Sequence, residues 1–268
     1  MSFLDARWRN GYSVAADELT IGNGSHTVAI NRKHRPGAVP CSLVTEDGDT
    51  ALKYTLVLPD DYDSATTISR VQTEFLLPSW VTSMTSTKWL RWQFKLPSPW
   101  QDDNGSGLTL AIISIHDDPA VGSSRVGAFT GFLENGVFYL RRGSTALGTN
   151  GAIIASWTPR PGQWEDVVMQ VKHAQDTTGL MRVWRNRRKI VDITGQQMTY
   201  IDDRGPYPKP CGLYYPTGYP AWIGTRTVYD RGMCISDDAH TFNSFMAACG
   251  EPALVELPAV AAQSAGIA

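Results

Sequence analysis

With 268 residues, 24 Lys and Arg against 26 Asp and Glu, and a formal net charge of −2, the chain carries no global field to draw nucleic acid or an acidic membrane surface. Any polyanionic partner must therefore be held by a local cluster of cations. No apolar stretch reaches bilayer-spanning length, so no membrane span is expected. The N-terminus, Met1 to Arg9, lacks the apolar core of a signal peptide, which implies cytoplasmic synthesis and secretion only if this is a processed chain.

Taken in chain order, the periodicity is that of strands. Over Trp89–Leu96 the residues Leu90, Trp92, Phe94 and Leu96 alternate with Arg91, Gln93 and Lys95, giving an apolar face and a polar one. Pro97–Gly107 is punctuation, and Leu108–His116 is a nearly continuous apolar strand of the kind found mid-sheet. Asn135-Gly136 is the strongest short hairpin signal in the chain and precedes a strand at Val137–Arg142. After turn chemistry at Thr158–Gly162, Glu165–His173 alternates again. Leu180–Trp184 and Lys189–Ile193 flank a hairpin turn at Arg185–Arg188, and Arg185, Arg187, Arg188 and Lys189 form the one dense basic cluster, read as a solvated turn or a glycan or partner contact. His173 ends its strand and reads as structural or surface.

Phe242, Phe245, Met246 and Cys249 recur at helical spacing before Gly250, which predicts one short helix. The domain is expected to span 1–250, with 251–268 an extended tail, disordered or docked on a partner. Cys41, Cys211, Cys234 and Cys249 lie far apart with no C-x-x-C pair, so no zinc or redox motif forms and mostly buried free thiols are expected. Disulfides would need an oxidising compartment. Many short strands with almost no helix predict an all-β, two-sheet antiparallel jelly-roll sandwich with a short C-terminal helix and extended tail.

Three stretches go beyond generic β-structure: Ser69-Arg70-Val71-Gln72-Thr73-Glu74-Phe75, Ile113-Ser114-Ile115-His116 and Gly205–Tyr214 with its Tyr207, Lys209, Gly212 and Tyr214. Together they resemble the jelly-roll polysaccharide lyases of the heparin lyase I, glucuronan lyase and alginate lyase type, which have a concanavalin A-like fold. Ser69–Phe75 is similar to their early strand bearing Arg and Glu. Ile113–His116 is similar to the central strand that reads Gln-Ile-His in alginate lyases. Gly205–Tyr214 is similar to their late Tyr-x-Lys-x-Gly-x-Tyr strand. Between and after these, Trp164–Val167, Gly179–Trp184 and Val228–Gly232 occupy compatible strand positions.

The resemblance implies an acidic, uronate-containing polysaccharide partner and β-elimination on a concave sheet. It implies Arg70, His116 and Tyr214 as catalytic residues: Arg70 on the substrate carboxylate, His116 as base or neutraliser, and Tyr214 as acid or as both acid and base. Glu74, Ser114, Lys209, Tyr207 and Tyr215 are implied as substrate-binding residues. Strand alternation sets Ser114 and His116 on one face.

Two departures from the family pattern stand out. Ser114 replaces the glutamine and is too short to neutralise the same carboxylate. Pro210-Cys211 stands where one residue is expected between Lys209 and Gly212, which requires a bulge or re-aims Lys209 or Tyr214. Tyr214, Tyr215, Tyr219 and Trp222 read equally as a sugar-stacking platform or a packed corner. No cofactor is implied. His116-Asp117-Asp118 raises a structural calcium, but no spaced ligand set supports a metal. The alternative to an enzyme is a non-catalytic bacteriophage virion component, used for adhesion and docked to other virion proteins through the C-terminal tail.

Overall fold

The computed structural model describes residues 2–10, 13–14, 20–22, 27–33, 41–58, 62–63, 68–75, 86–100, 110–116, 128–143, 151–205, 207–209, 212–215, 224–237 and 239–258. Within these, only the backbone is described at 13–33, 62–75, 111, 116, 207–209 and 215. The strands are β1 (Phe3–Arg7), β2 (Ser13–Val14), β3 (Thr20–Gly22), β4 (Thr27–Lys33), β5 (Cys41–Glu46), β6 (Asp49–Leu58) and β7 (Tyr62–Asp63). They continue as β8 (Ile68–Phe75), β9 (Lys88–Lys95), β10 (Leu110–His116), β11 (Phe129–Glu134), β12 (Val137–Arg142) and β13 (Ile153–Trp157). The last are β14 (Trp164–Lys172), β15 (Leu180–Arg185), β16 (Arg188–Thr194), β17 (Tyr207–Lys209), β18 (Gly212–Tyr215) and β19 (Gly224–Ser236), followed by the helix α1 (Phe242–Ala248).

They form two antiparallel sheets, the expected jelly-roll sandwich. The smaller has eight strands in the order β16-β15-β14-β9-β19-β6-β5, with β1 paired to β19. The larger has eleven, in the order β13-β12-β11-β10-β18-β8-β4-β3-β2, with β17 on β10 and β7 on β8. Alternation sends Leu52, Tyr54, Leu90, Trp92, Phe94, Val167 and Met169 inward from the smaller sheet. Ile113, Ile115, Phe129, Phe138, Leu140 and Leu213 meet them from the larger. Phe94 stacks on Phe138 across the sandwich, with ring centroids 5.0 Å apart.

The hairpins close where the residues allow it. Asn135-Gly136 and Asn186-Arg187 both take positive φ, as two-residue turns with the right-handed strand twist require. Asp47-Gly48 does the same between β5 and β6. Its Asp-Gly step is a hairpin signal of the same kind as Asn135-Gly136.

The polar face expected for β9 is polar but covered. Arg91 and Lys95 are buried because partners arrive from elsewhere: Arg91 makes a bidentate pair with Asp166 at 3.0 and 2.9 Å, and Lys95 reaches Asp47 at 2.6 Å and Glu46. Of the basic cluster Arg185, Arg187, Arg188 and Lys189, the first and last are paired within the fold. Arg185 holds Glu165 at 2.6 and 2.8 Å and lies over Trp157, while Lys189 meets Asp192 at 3.2 Å. His173 is buried, which makes it structural.

α1 is capped by a Thr241–Ser244 capping box and ends at Gly250, whose φ is +76°. Phe242, Phe245, Met246 and Cys249 bury against Trp89, Val168, Trp184 and Cys234 on the outer side of the smaller sheet. The first part of the expected tail docks on the chain itself. Glu251 faces Arg91 at 3.4 Å, Glu256 accepts from the Trp184 indole at 2.8 Å, and Leu257 N donates to Arg187 O at 2.9 Å. Residues 259–268 lie outside the described residues. Cys234 and Cys249 are unbridged buried thiols, and Cys211 lies outside the described residues. Among the described residues no helix is long and apolar enough to cross a membrane.

Candidate functional site

The eight residues implied as catalytic or substrate-binding all lie on strands of the larger sheet, and the registers fix their relative positions. Residues directly opposite across an antiparallel pair share a face. Tyr214 stands between Ala111 of β10 and Arg70 of β8. Ser114 is opposite Lys209 on one side and Thr130 on the other, and His116 is opposite Tyr207. Leu213 is fully buried in the inter-sheet core, so Tyr214 beside it points to the outer face, where it is half-buried.

The late motif is interrupted, as its extra residue required. Two residues separate Ala111 from Ser114 on β10, whereas four separate their partners Lys209 and Tyr214. Pro210 and Cys211 fall between β17 and β18, outside the described residues. On its other edge β10 carries a bulge between Ala111 and Ile113 against β11. That bulge puts Ala111 and Ser114 on the same face although they are three apart, and it lets Ile112 and Ile113 both bury in the core.

The consequence is two groups rather than one knot of residues. Arg70 and Tyr214 are immediate neighbours in one cross-strand row. His116, with Tyr207 beside it, lies five positions along β10 from the partner of Tyr214, roughly 15 Å at the strand rise. Ser114 and Lys209 sit between. Glu74 is opposite Ala29 on β4, four residues along β8 from Arg70. Tyr215 is opposite Ser69, one residue beyond Tyr214, and alternation assigns its position to the opposite face of the sheet. Tyr219, Trp222, Asp117 and Asp118 lie outside the described residues. Among the described residues no cluster of three or more His, Cys, Asp or Glu forms that could hold a metal ion.

Ser114 is 4% exposed, and its hydroxyl has no hydrogen-bond partner among the described residues. A buried hydroxyl in that state is unusual in a folded protein. The structure adds three residues that sequence analysis passed over. Phe132, opposite Ala111, and Tyr139, opposite Phe132, extend the Arg70–Tyr214 row, with their rings stacked at 5.4 Å. Arg141 lies over the Phe132 ring, its guanidinium carbon 4.4 Å from the centroid. The signal was present in Val137–Arg142, where Phe138 and Leu140 turn to the core and so direct Tyr139 and Arg141 outward.

The sequence model of the polysaccharide lyase family matches residues 20–231, which include all of these positions. The chain belongs to the polysaccharide lyase family. No curated protein matches this lyase-family chain in sequence. Among solved structures, an endo-β-1,4-glucuronan lyase from the fungus Trichoderma reesei aligns with a TM-score of 0.57 at 20% identity, over 78% of this chain and 94% of that one. A family 7 alginate lyase in complex with substrate aligns at 0.55 and 12% identity, covering 76% and 86%. A β-glucanase catalytic domain from Podospora anserina aligns at 0.53 and 9%, covering 78% and 83%. At these identities the likeness shows a shared jelly-roll fold.

Proposed function

We propose that the outer face of the larger sheet binds an acidic, uronate-containing polysaccharide and cleaves it by β-elimination. The observation that carries this reading is the adjacency of Arg70 and Tyr214 in one row of that sheet, in a chain of the polysaccharide lyase family. The elimination removes the weakly acidic proton on carbon 5 of a uronic acid, beside a carboxylate whose charge opposes carbanion formation. A cation or strong donor must neutralise that carboxylate. A base must reach the proton, and an acid must protonate the departing glycosidic oxygen.

Arg70 supplies the neutralising cation and Tyr214 the proton transfers. The roughly 15 Å between the register positions of Tyr214 and His116 favours Tyr214 as both acid and base, with His116 acting on a neighbouring sugar. Glu74, Ser114, Lys209 and Tyr207 then border the path of the strand, whereas Tyr215, on the opposite face, drops out of the substrate-binding set.

Incubation with alginate, glucuronan and heparin is expected to release unsaturated uronates, followed by ultraviolet absorbance. Tyr214→Phe should abolish the product, whereas His116→Asn should leave a measurable fraction. Absence of product from all three glycans, with the protein folded, rejects cleavage.

Serine in place of glutamine at position 114 favours a second reading, in which the face binds glycan without turning it over, as in a virion adhesion protein. Its mark would be saturable binding without product. Because Glu251–Leu257 are held on the chain's own sheet, docking to virion neighbours in that reading falls to the residues after them.

A further inference from the structure

We propose that Cys234 and Cys249 are a latent cross-link site: a small-molecule disulfide oxidises them to a protein disulfide that fastens α1 to the smaller sheet. Cys234 lies on β19, opposite Asp5 of β1 and Arg91 of β9. Its side chain points to the outer face of that sheet, where Sγ stands 3.7 Å from Asp5 Oδ1. Cys249 ends α1 one turn past Phe245, whose carbonyl accepts its N–H at 2.9 Å. With Phe242, Phe245 and Met246 it falls on the buried side of the helix. Both thiols are fully buried in the one small core that α1 shares with the sheet, whereas Cys41 lies in the main core between the sheets.

The residues after Cys249 hold it over Cys234. Gly250 is so placed that a β-carbon there would meet Arg9 Nη2 at 3.6 Å and Arg7 Nη2 at 4.0 Å. Glu251 reaches Arg91 at 3.4 Å and Arg7 at 3.6 Å. Arg7 Nε in turn donates, at 2.7 Å, to the same Asp5 oxygen that Cys234 approaches. The Cys234 and Cys249 side chains hydrogen-bond to each other. That bond, and then burial, push the Cys234 thiol well above its usual range, with Arg7 acting in the opposite sense. Covered thiols of this kind are inert until they open. α1 has seven residues, too few to persist without its packing, and Cys249 stands at its end, so local opening exposes Cys249 first. As thiolate, Cys249 Sγ attacks one sulfur of the small disulfide and displaces a thiolate. When the helix reseats, Cys234 Sγ attacks Cys249 Sγ; the protein S–S bond forms and the second small thiolate leaves. The two cysteine protons end on the two small thiols, and two electrons pass from the protein to the small disulfide.

The test exposes the full chain to oxidised glutathione, denatures it in an alkylating agent and maps the cysteines by mass spectrometry. A cross-linked Cys234–Cys249 peptide, two hydrogens lighter than the reduced pair, is expected, with Cys41 alkylated. Because the bond closes a loop from position 234 to position 249, Tm should rise by about 5–10 °C and return on reduction with dithiothreitol. Cys249→Ser should show neither the cross-link nor the rise. Cys234→Ser should keep Cys249 as its mixed disulfide with glutathione, which tells the attacking sulfur from the resolving one. Alkylation of all four cysteines, after exposure at room temperature and again a few degrees below Tm, overturns the proposal. A bond from either residue to Cys41 or Cys211 also overturns it. So does a cross-link that leaves Tm unchanged, because α1 would then not be fastened by it. The polysaccharide reading stands or falls separately, since Arg70 and Tyr214 lie on the other sheet.

Discussion

Two buried titratable residues outside the site tie stability to pH in opposite senses. His173 is buried, and its Nδ1 has no partner among the described residues; desolvation, and secondarily the charge of Lys88, push its pKa down to about 3. Above the ordinary value near 6.5 it is neutral in both folded and unfolded chains and contributes no pH dependence. Below that, the unfolded chain takes a proton that the fold refuses, so stability falls as pH drops toward about 3. His173→Leu should remove this slope, and the difference from wild type should change by about 3 kcal/mol between pH 7 and pH 4, read from urea midpoints. Asp230 runs the other way. Burial pushes its carboxyl up to about 6, against the lowering effect of the Tyr54 hydroxyl at 2.7 Å and the Gly232 amide. Its cost is absent below the usual carboxylate value and complete above about pH 6, so Asp230→Asn should gain relative stability as pH rises through that window. If both variants track the wild-type pH profile, these assignments fail.

At the scale of elements, α1 and the strap after it form a second small core on the far side of the smaller sheet. Trp89 stacks on Trp184 at 5.4 Å, and Phe242 and Phe245 close over them at the same distance. Thr241→Ala removes the cap and should cost about 1 kcal/mol, a few degrees in Tm. Truncation after Gly250 should lower Tm further, because Arg91 loses Glu251 and the Trp184 indole loses Glu256, yet leave glycan binding on the opposite sheet unchanged. Loss of binding in that truncation would show that the two faces are coupled. The helix was legible because its four apolar residues recur at the right spacing. What it covers was not, since Trp89 and Trp184 look the same in sequence whether they face solvent or a helix. The strands of the site were legible for the same reason: alternation marks them one at a time. Their mutual register was not, because it depends on a bulge at Ile112 and an interruption after Lys209 that only pairing reveals. Arg141 went unseen because a strand's outward residues acquire meaning only from the strands beside it.

Across the whole molecule the chain crosses repeatedly between sheets. β5 and β6 lie in the smaller, β7 and β8 in the larger, β9 in the smaller, β10–β13 in the larger, β14–β16 in the smaller, β17 and β18 in the larger, and β19 in the smaller. Neither sheet is a continuous stretch of sequence, so neither can form without closing loops through the other. The face that carries Arg70, Tyr214 and Arg141 is therefore held in shape by side chains on its reverse, above all where the aromatic rings of the two sheets meet. Phe94 of β9 stacks on Phe138 of β12, which in turn meets Trp157 at 4.6 Å, and Trp92 of β9 meets Phe129 of β11 edge-on at 6.2 Å. Phe138→Ala empties a fully buried site and should cost about 3–5 kcal/mol. If the sandwich unfolds as one body, Phe94→Ala and Phe138→Ala should couple by about 0.5–1.5 kcal/mol in a double-mutant cycle. Tryptophan fluorescence and far-ultraviolet circular dichroism should also give coincident transitions for each variant. Phe138 lies on the same strand as Tyr139 and Arg141 and faces the other way, so a cavity there loosens the strand that presents them. A Phe138→Ala chain that remains folded should accordingly bind uronate oligosaccharides more weakly than wild type, although the substituted side chain touches no part of the binding face. Additive stabilities together with separate transitions for the two sheets would mean that the larger sheet keeps its shape alone, and the support assigned here to the core would have to come from within that sheet.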